Sequence, residues 1–401
     1  MGDQQRTTNK KIAAAPPIPI DHERLLSRFP QLREHFQWIQ PEFLLPIVEE
    51  SLRGSPAPNG PGPRNEKLES LADELIAGQI AESMPRNRGT AGDSGSRTRI
   101  LWHSAFCVPK KQAGWLRFIL SGKTVNRLLA NLSLPTCQFP SYRVLVDRIL
   151  SQSHFAQYDF KSYFFQFRLE DAVRNLFAFR AGRKLLRMKR LPMGYCGSPQ
   201  IGQAVSVSLA NEAITVASTL EQVQSVVWLD NVIFSGDLCR IEAVGAAFTS
   251  LCAEFGVEIG DTSPPSTQDT ALGLEFDLTA KRWRMDINWV AKVAEAMQTV
   301  SLRLALPLKG WWRLGGLLLW RSQALQRPLL AHAPLLYWMS ALCREEDPAN
   351  MLCKSFWEKS ISPPSGVVSH IEAHMSLLAE NSWTDWSPTP LSSLKLTPIR
   401  A

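Results

Sequence analysis

Apolar residues recur along this chain with two different periods, and the change of period divides it. Over residues 21–52 the pattern LLSRFPQLREHF…PEFLLPIVEESL spaces apolar positions three and four apart and interrupts them with prolines, which predicts short amphipathic helices. Residues 68–84 predict one further helix, reached through a Pro/Gly/Asn linker at 53–66. Residues 85–99 are polar and rich in Gly and Ser, which predicts mobile coil. Residues 100–287 read differently: short apolar runs bounded by Gly, Pro and Ser, mixed with helical stretches at 141–151 and 204–220. That mixture lacks a regular βαβα alternation, so the fold class is α+β. From 288 to about 344 long helical periodicity returns (WVAKVAEAMQTVSLRLAL, GWWRLGGLLLWRSQALQRPLL), and the residues beyond mix helix with Pro-rich coil.

Composition adds three constraints. Hydrophobic residues make up 45% and charged residues 20%, enough for an ample core, while the longest apolar run, 314–320, is about a third of the roughly 20 residues a membrane span needs. The first 20 residues have no apolar signal region and read as a solvated, disordered basic tail. Seven cysteines (107, 137, 196, 239, 252, 343 and 353) show no C-x-x-C spacing, which argues against a zinc knuckle or a disulfide framework and for a reducing compartment, nuclear or cytoplasmic. The net charge is +7, but residues 101–200 carry 16 Lys/Arg against 4 Asp/Glu, a local +12 that leaves −5 for the rest. Such a concentration invites a polyanion, nucleic acid first.

The candidate chemistry lies in four segments. Tyr158-Asp159-Phe160 and Trp228-Leu229-Asp230-Asn231 each place an aspartate inside an apolar, strand-like run, where an ionised carboxylate is unfavourable by several kcal/mol unless compensated. Laid side by side, Asp159 and Asp230 form a pair able to hold divalent cations. The second segment, within SVVWLDNVIFSGD (225–237), predicts a β-hairpin with Asp230-Asn231 at its tight turn, Asn tolerating positive φ. SAFCVPKKQAGWLRFILSGKTVN (104–126) predicts a hairpin with Gln112-Ala113-Gly114 at the turn and Lys110, Lys111 and Arg117 beside it, a cation set suited to a triphosphate. RLPMGYCGSPQIGQAVSVSLA (190–210) predicts a loop opening a helix around 200–203, its glycines allowing close approach of a base pair or nucleotide. Outside these segments, His370 and His374 stand i, i+4 on a helix. Glu372 is misplaced for H-E-x-x-H and no third ligand is evident, so they read as exposed helix-face histidines.

In order and spacing these segments resemble the reverse transcriptases, those of LTR retroelements in particular, over residues 100–285. VPKK…WLRFILSGKTVN is similar to the fingers motifs that bind the incoming triphosphate, and DFKSYFF to the palm motif with the first catalytic aspartate. LPMGYCGSPQIGQ resembles the motif L-P-x-G-x-x-x-[SA]-P, WLDNVIFSG the [YF]-x-D-D hairpin, and ALGLEFD (271–277) the primer grip. The D-N variant, the Pro-Met-Gly form and WWRLGGLLLWRSQAL are similar to elements of the tyrosine-recombinase type (DIRS-like, VIPER/TATE-like).

The resemblance implies a right-hand polymerase: a disordered tail (1–20), a helical N-terminal extension (21–98), fingers and a ferredoxin-like palm (99–286), a helical thumb (287–345) and a C-terminal tail or connection (346–401) with no RNase H domain. It implies an RNA-directed DNA polymerase acting on an RNA or DNA template-primer and dNTP, with RNase H or recombinase supplied from elsewhere in the element. Asp159, Asp230 and Asn231 take catalytic positions, and Asp159, Asp230 and the Phe160 carbonyl hold two Mg²⁺, with Mn²⁺ as a substitute. Lys110, Lys111, Arg117, Phe160, Phe164, Met193 and Gly194 face the nucleotide, Phe164 as the ring that selects against a ribose 2′-hydroxyl. Gly197, Ser198, Pro199, Gln203, Leu272 and Gly273 face primer or template. Asn231 stands where a second aspartate is usual, and 255–269 lacks the lysine many relatives place there, so the alternative is a catalytically inactive, nucleic-acid-binding relative. A G-D-N triplet in some viral RNA polymerases gives a third reading, which Phe164 opposes.

Overall fold

The computed structural model describes residues 11–12, 15–16, 18–53, 60–61, 64–85, 100–110, 114–130, 132, 137–218, 222–301, 305–344 and 354–387. The coil expected at 86–99, Lys111 and the residues from 388 onward lie outside them. Strands β1 (Lys11–Ile12), β2 (Ala81–Ser83), β3 (Trp102–His103), β4 (Ala105–Pro109) and β5 (Trp115–Leu120) precede β6 (His154–Phe160), and β7 (Ala178–Ala181) and β8 (Lys184–Met188) follow it. β1, β5 and β4 form one sheet in that order, and β2, β8, β7 and β3 another. β9 (Gln224–Trp228), β10 (Asn231–Gly236) and β11 (Ile259–Ser266) join β6 in a sheet ordered β11-β6-β10-β9. Beyond it come β12 (Gln268–Ala271), β13 (Leu274–Asp277), β14 (Arg282–Met285), β15 (Leu306–Pro307), β16 (Ser360–Ile361) and β17 (Thr384–Asp385). Helices Ile287–Ser301, Leu308–Ala324, Ala333–Arg344 and Ser365–Glu380 build the C-terminal lobe. The fold is α+β, as its sequence pattern predicts.

In the β6 sheet, β6, β9 and β10 are packed on both faces, which explains why they read as near-continuous apolar runs, while the edge strand β11 is largely exposed. Successive side chains alternate between faces. Ala156, Phe160, Val227, Val232 and Phe234 enter one core, which also holds Phe248 and Phe255. Phe155, Val226 and Ile233 enter a second core with Leu145, Phe276, Trp311 and Leu314. The sheet is thus wedged between two apolar masses, and a polar group at its end sits on a rigid support.

Two expectations are corrected. The described part of the 1–20 tail is only partly solvated: Lys11 and Ile18 are exposed, but β1 runs parallel to β5, Ile12 N–H donates to the Glu74 carboxylate at 2.9 Å, and Ile12, Ala15 and Ile20 are buried. Ile12 docks on the strand that carries Arg117, while the Ala15 N–H donates to the Gly78 carbonyl and the Ile20 N–H to the Gln166 carbonyl. The single helix expected over 68–84 is instead Glu66–Glu69 and Ala72–Ala77 followed by β2. Gly78 and Gln79, the latter at φ 56°, end the helix, and the Ile80 N–H returns to the Leu75 carbonyl at 3.0 Å. β2 then adds to the edge of β8.

Candidate active site

β6 and β10 are antiparallel, with Asp159 directly opposite Asn231 and Val232 opposite Tyr158. Opposed side chains share a face, with Cβ atoms about 4.5–5.5 Å apart, so Asn231 faces Asp159. Asp230 sits one residue earlier, in the two-residue turn between β9 and β10, and its carbonyl accepts from the Phe160 N–H at 2.9 Å. A strand residue directs its N–H and C=O to the same side, so the Phe160 carbonyl is aimed at the Asp230 turn. Burial, the Asp230 charge and the Asp261 charge push the Asp159 carboxyl up to about 7, against the pull of Lys110 and Arg117. Burial also raises Asp230, against its own backbone N–H and Arg117. Two half-buried carboxyls that resist ionisation in the bare protein are a donor set in search of positive charge; their chemistry fits a hard divalent cation.

A cavity of about 220 Å³ opens onto this pair, and its lining contains Lys110, Arg117, Asp159, Phe160, Phe164, Met193 and Asp230, all expected from sequence. Ile12, Ser162, Tyr163 and Leu229 also line it. Arg117 and Lys110 reach it because β5 and β4 close a hairpin through the Lys110 N–H and the Trp115 carbonyl, 2.9 Å. A larger hollow of about 670 Å³ lies among Arg64, Lys67, Trp102 and Arg180, but its described lining holds one carboxylate, Glu66, and no pair.

The remaining expected residues are not among the residues that line the cavity. Gly194, at φ 100°, lies so close to β5 that a Cβ there would meet the Leu120 carbonyl oxygen at 2.1 Å. Its carbonyl accepts from Asn126 Nδ2 at 2.9 Å, and Asn126 Oδ1 accepts from the Cys196 N–H at 2.9 Å, so the loop carrying Met193 is tied to the helix Lys123–Leu128 that follows β5. Gly197 opens the helix Gly197–Val216, Ser198 Oγ donates to the Pro192 carbonyl, and the Pro199 carbonyl accepts from Cys137 Sγ. Leu272 and Gly273 form the β12–β13 turn, packed against Trp289 and Trp320.

Gln203 is buried and clamps the hairpin: its Nε2 donates to the Val227 carbonyl at 3.0 Å and its Oε1 accepts from the Leu229 N–H at 2.7 Å. Ser206, not singled out by sequence, donates to the Leu229 carbonyl at 2.6 Å. The sequence reading placed positive φ on Asn231; the structure places it on Leu229, at φ 57°, and Asn231 begins β10. A bulky residue there is unfavourable by about 1–3 kcal/mol unless its surroundings hold it, and Gln203 and Ser206 supply that hold. Gln203→Leu leaves the buried Leu229 N–H unpaired. It should destabilise the chain by about 1–3 kcal/mol and, by letting Asp230 drift, lower any turnover at the site by about 10²-fold. Denaturant unfolding and single-nucleotide incorporation measure the two effects, and a wild-type profile in both contradicts the clamp.

The second residue that sequence reasoning missed is Asp261, an exposed acid on β11 whose charge reaches Asp159. β11 pairs with β6 through a register shift between Ile259 and Thr262, and Asp261 lies within that irregularity.

Residues 108–262 match the family described as "Reverse transcriptase (RNA-dependent DNA polymerase)". The solved structures it resembles are of the foamy viral protease-reverse transcriptase. One is described as the dRH form in complex with double-stranded DNA (TM-score 0.56, 15% identity, 82% of this chain and 51% of that one). Two others are of the protease-reverse transcriptase with an RNA/DNA hybrid (0.54, 15%, 81% and 38%) and with double-stranded DNA (0.54, 15%, 84% and 62%). The overall architecture is therefore the right-hand fold of these polymerases, and this chain spans about two fifths to three fifths of their length. No curated protein matches the chain by sequence. No described helix is long and apolar enough to cross a membrane.

Proposed function

We propose that the chain is an RNA-directed DNA polymerase that adds dNTP to a primer 3′-hydroxyl. The observation that carries this is the convergence of Asp159, Asp230, Lys110, Arg117 and Phe164 on one cavity from three separate stretches of sequence, 110–117, 159–164 and 230. Asp159, Asp230 and the Phe160 carbonyl would hold two divalent cations, Mg²⁺ or Mn²⁺, which when bound lower the pKa of the 3′-hydroxyl and neutralise charge on the triphosphate. Lys110 and Arg117 bind triphosphate oxygens and stabilise the charge that passes to the leaving pyrophosphate. Met193, on the loop fixed by Asn126, meets the nucleotide from the helix side. Phe164 closes the space beside the sugar. The cation-rich fingers face follows the template-primer backbone, an interaction that weakens steeply with salt. The LTR-like assignment rests on the order and spacing of the motifs over residues 100–285, and the tyrosine-recombinase type within it on Asn231, the Pro-Met-Gly loop and the Trp-rich helix Leu308–Ala324.

Asn231 favours one rival, an inactive nucleic-acid-binding subunit. Its position answers part of that objection: it faces Asp159 from the neighbouring strand, so an aspartate there would add a like charge to a pair that already resists ionisation. Asn231→Asp should therefore raise metal affinity and quicken primer extension on poly(rA)·oligo(dT). Extension by neither wild type nor variant, under Mg²⁺ or Mn²⁺, would leave only the inactive reading.

A further inference from the structure

The sequence leaves His370 and His374 as a pair on an exposed helix face. The structure supplies the third imidazole. His332, in the 3₁₀ turn Leu329–His332 that follows helix Leu308–Ala324, is buried and meets both histidines of helix Ser365–Glu380. The three ring centroids lie 4.2–5.5 Å apart, and one nitrogen from each ring lies within 4.8 Å of the others.

The hydrogen bonds around the cluster turn a ligand nitrogen inward on His332 and His374. His332 Nε2 lies 2.7 Å from Ser322 Oγ, which leaves Nδ1 facing His370. His374 Nδ1 donates to the His370 carbonyl at 3.0 Å, which leaves Nε2 free of that bond. His332 Nδ1 and His370 Nε2 are 3.3 Å apart. That is the edge expected between two nitrogens on a tetrahedral zinc with Zn–N of about 2.0–2.1 Å. Fixing one ring nitrogen through a hydroxyl or carbonyl so that the other points at a metal is the usual support of histidine ligands.

We infer that His332, His370 and His374 form a site for a borderline divalent cation, Zn²⁺ by ligand type, distinct from the palm carboxylates. Three imidazoles suit Zn²⁺ far better than Mg²⁺, whose ligands are oxygens. The fourth position goes to water. Burial holds all three histidines below their ordinary range, His332 at about 4, and neighbouring imidazoles lower His332 and His370 further, so each is neutral near pH 7 as a ligand must be. Arg321 lowers His332 and His374, and Arg327 lowers His374. Their charge favours the neutral rings and also weakens a bound dication. The consequence is structural. The metal ties the helix Ser365–Glu380 to the end of Leu308–Ala324, whose Trp320 Nε1 donates to the Tyr142 hydroxyl at 2.5 Å beside the β6 sheet. Occupancy thus braces the C-terminal lobe internally, beside the helix through which it reaches the β6 sheet.

The test uses the untagged full chain stripped with EDTA and titrated with Zn²⁺ and with Co²⁺, the latter read by its visible bands. Wild type and Asp159→Asn should each bind one Zn²⁺ with a rise in Tm, and Co²⁺ should show the intense bands of a tetrahedral nitrogen site. His374→Gln, at a half-buried position that leaves the core intact, should lose at least about 100-fold in Zn²⁺ affinity together with the Tm rise; His370→Gln should do the same. The proposal is overturned by wild type that binds no Zn²⁺ or shows only weak octahedral bands. It is equally overturned if His374→Gln and His370→Gln keep wild-type affinity, or if Asp159→Asn alone abolishes binding.

Discussion

Asp159→Asn should reduce primer extension by about 10³-fold or more while making the metal-free protein more stable. Both effects have one cause. Burial, Asp230 and Asp261 hold the Asp159 carboxyl at about 7, so ionising it in the bare fold is unfavourable, and the amide removes that burden. The amide also removes a charged donor from the proposed metal site, and with it the positioning of the primer hydroxyl. The stability gain depends on pH. A native carboxyl with a raised pKa retains a proton that the unfolded chain loses near pH 4. Wild type therefore loses stability relative to the variant as pH rises from about 4 to about 7. Buried histidines such as His22 and His332, both held near 4, contribute a trend of the opposite sign. They are common to both proteins, so the difference isolates Asp159. Denaturant midpoints in EDTA should differ least at about pH 4, near the unfolded carboxyl value, and clearly at pH 7.5. A gap that is constant, or that narrows with pH, contradicts the assignment of the raised carboxyl.

Phe164→Val should admit ribonucleotides, shifting the dNTP/NTP preference by about 10- to 200-fold. The ring is half-buried on the cavity wall and cannot swing away, because Tyr163 lies beside it at 6.0 Å between centroids and the helix backbone at Gly202 lies behind it. A Cβ at position 202 would already come within 3.2 Å of the Phe164 ring. Shortening the side chain to Val opens space on the cavity side alone, where a 2′-hydroxyl would sit. Incorporation kinetics with dTTP and UTP on the same template give the ratio. An unchanged ratio in a well-folded variant places the gate on another residue.

Local patterns carried much of this architecture. The β6 strand, the β9–β10 hairpin and the helical C-terminal lobe were legible because their apolar periods are set by residues adjacent in sequence. What depends on distant partners was not. The conformation of the Asp230 turn is decided by Gln203 and Ser206 on a helix more than twenty residues away, so positive φ falls on Leu229 although Asn231 is the residue type that favours it. Asp261 reaches Asp159 only through a register shift in β11. The +12 segment is less exposed than its count implies. Arg174 and Arg187 are buried against Glu82 and Asp171, and Lys184 pairs with Asp73, so part of that charge serves the fold. Glu82 and Asp73 lie outside the counted window. His332 stands 38 residues before His370 and joins it only in the packed lobe.

The central claim is that the cavity bounded by Asp159, Asp230, Lys110 and Arg117 performs metal-dependent nucleotidyl transfer. Single-nucleotide incorporation tests it most directly, with full-length wild type and Asp159→Ala compared on poly(rA)·oligo(dT) with dTTP under Mg²⁺ and under Mn²⁺. The expected result is extension by wild type with at least one of the two ions, and none by Asp159→Ala with either. Extension that survives in Asp159→Ala, or that wild type fails to perform under both ions, contradicts the account.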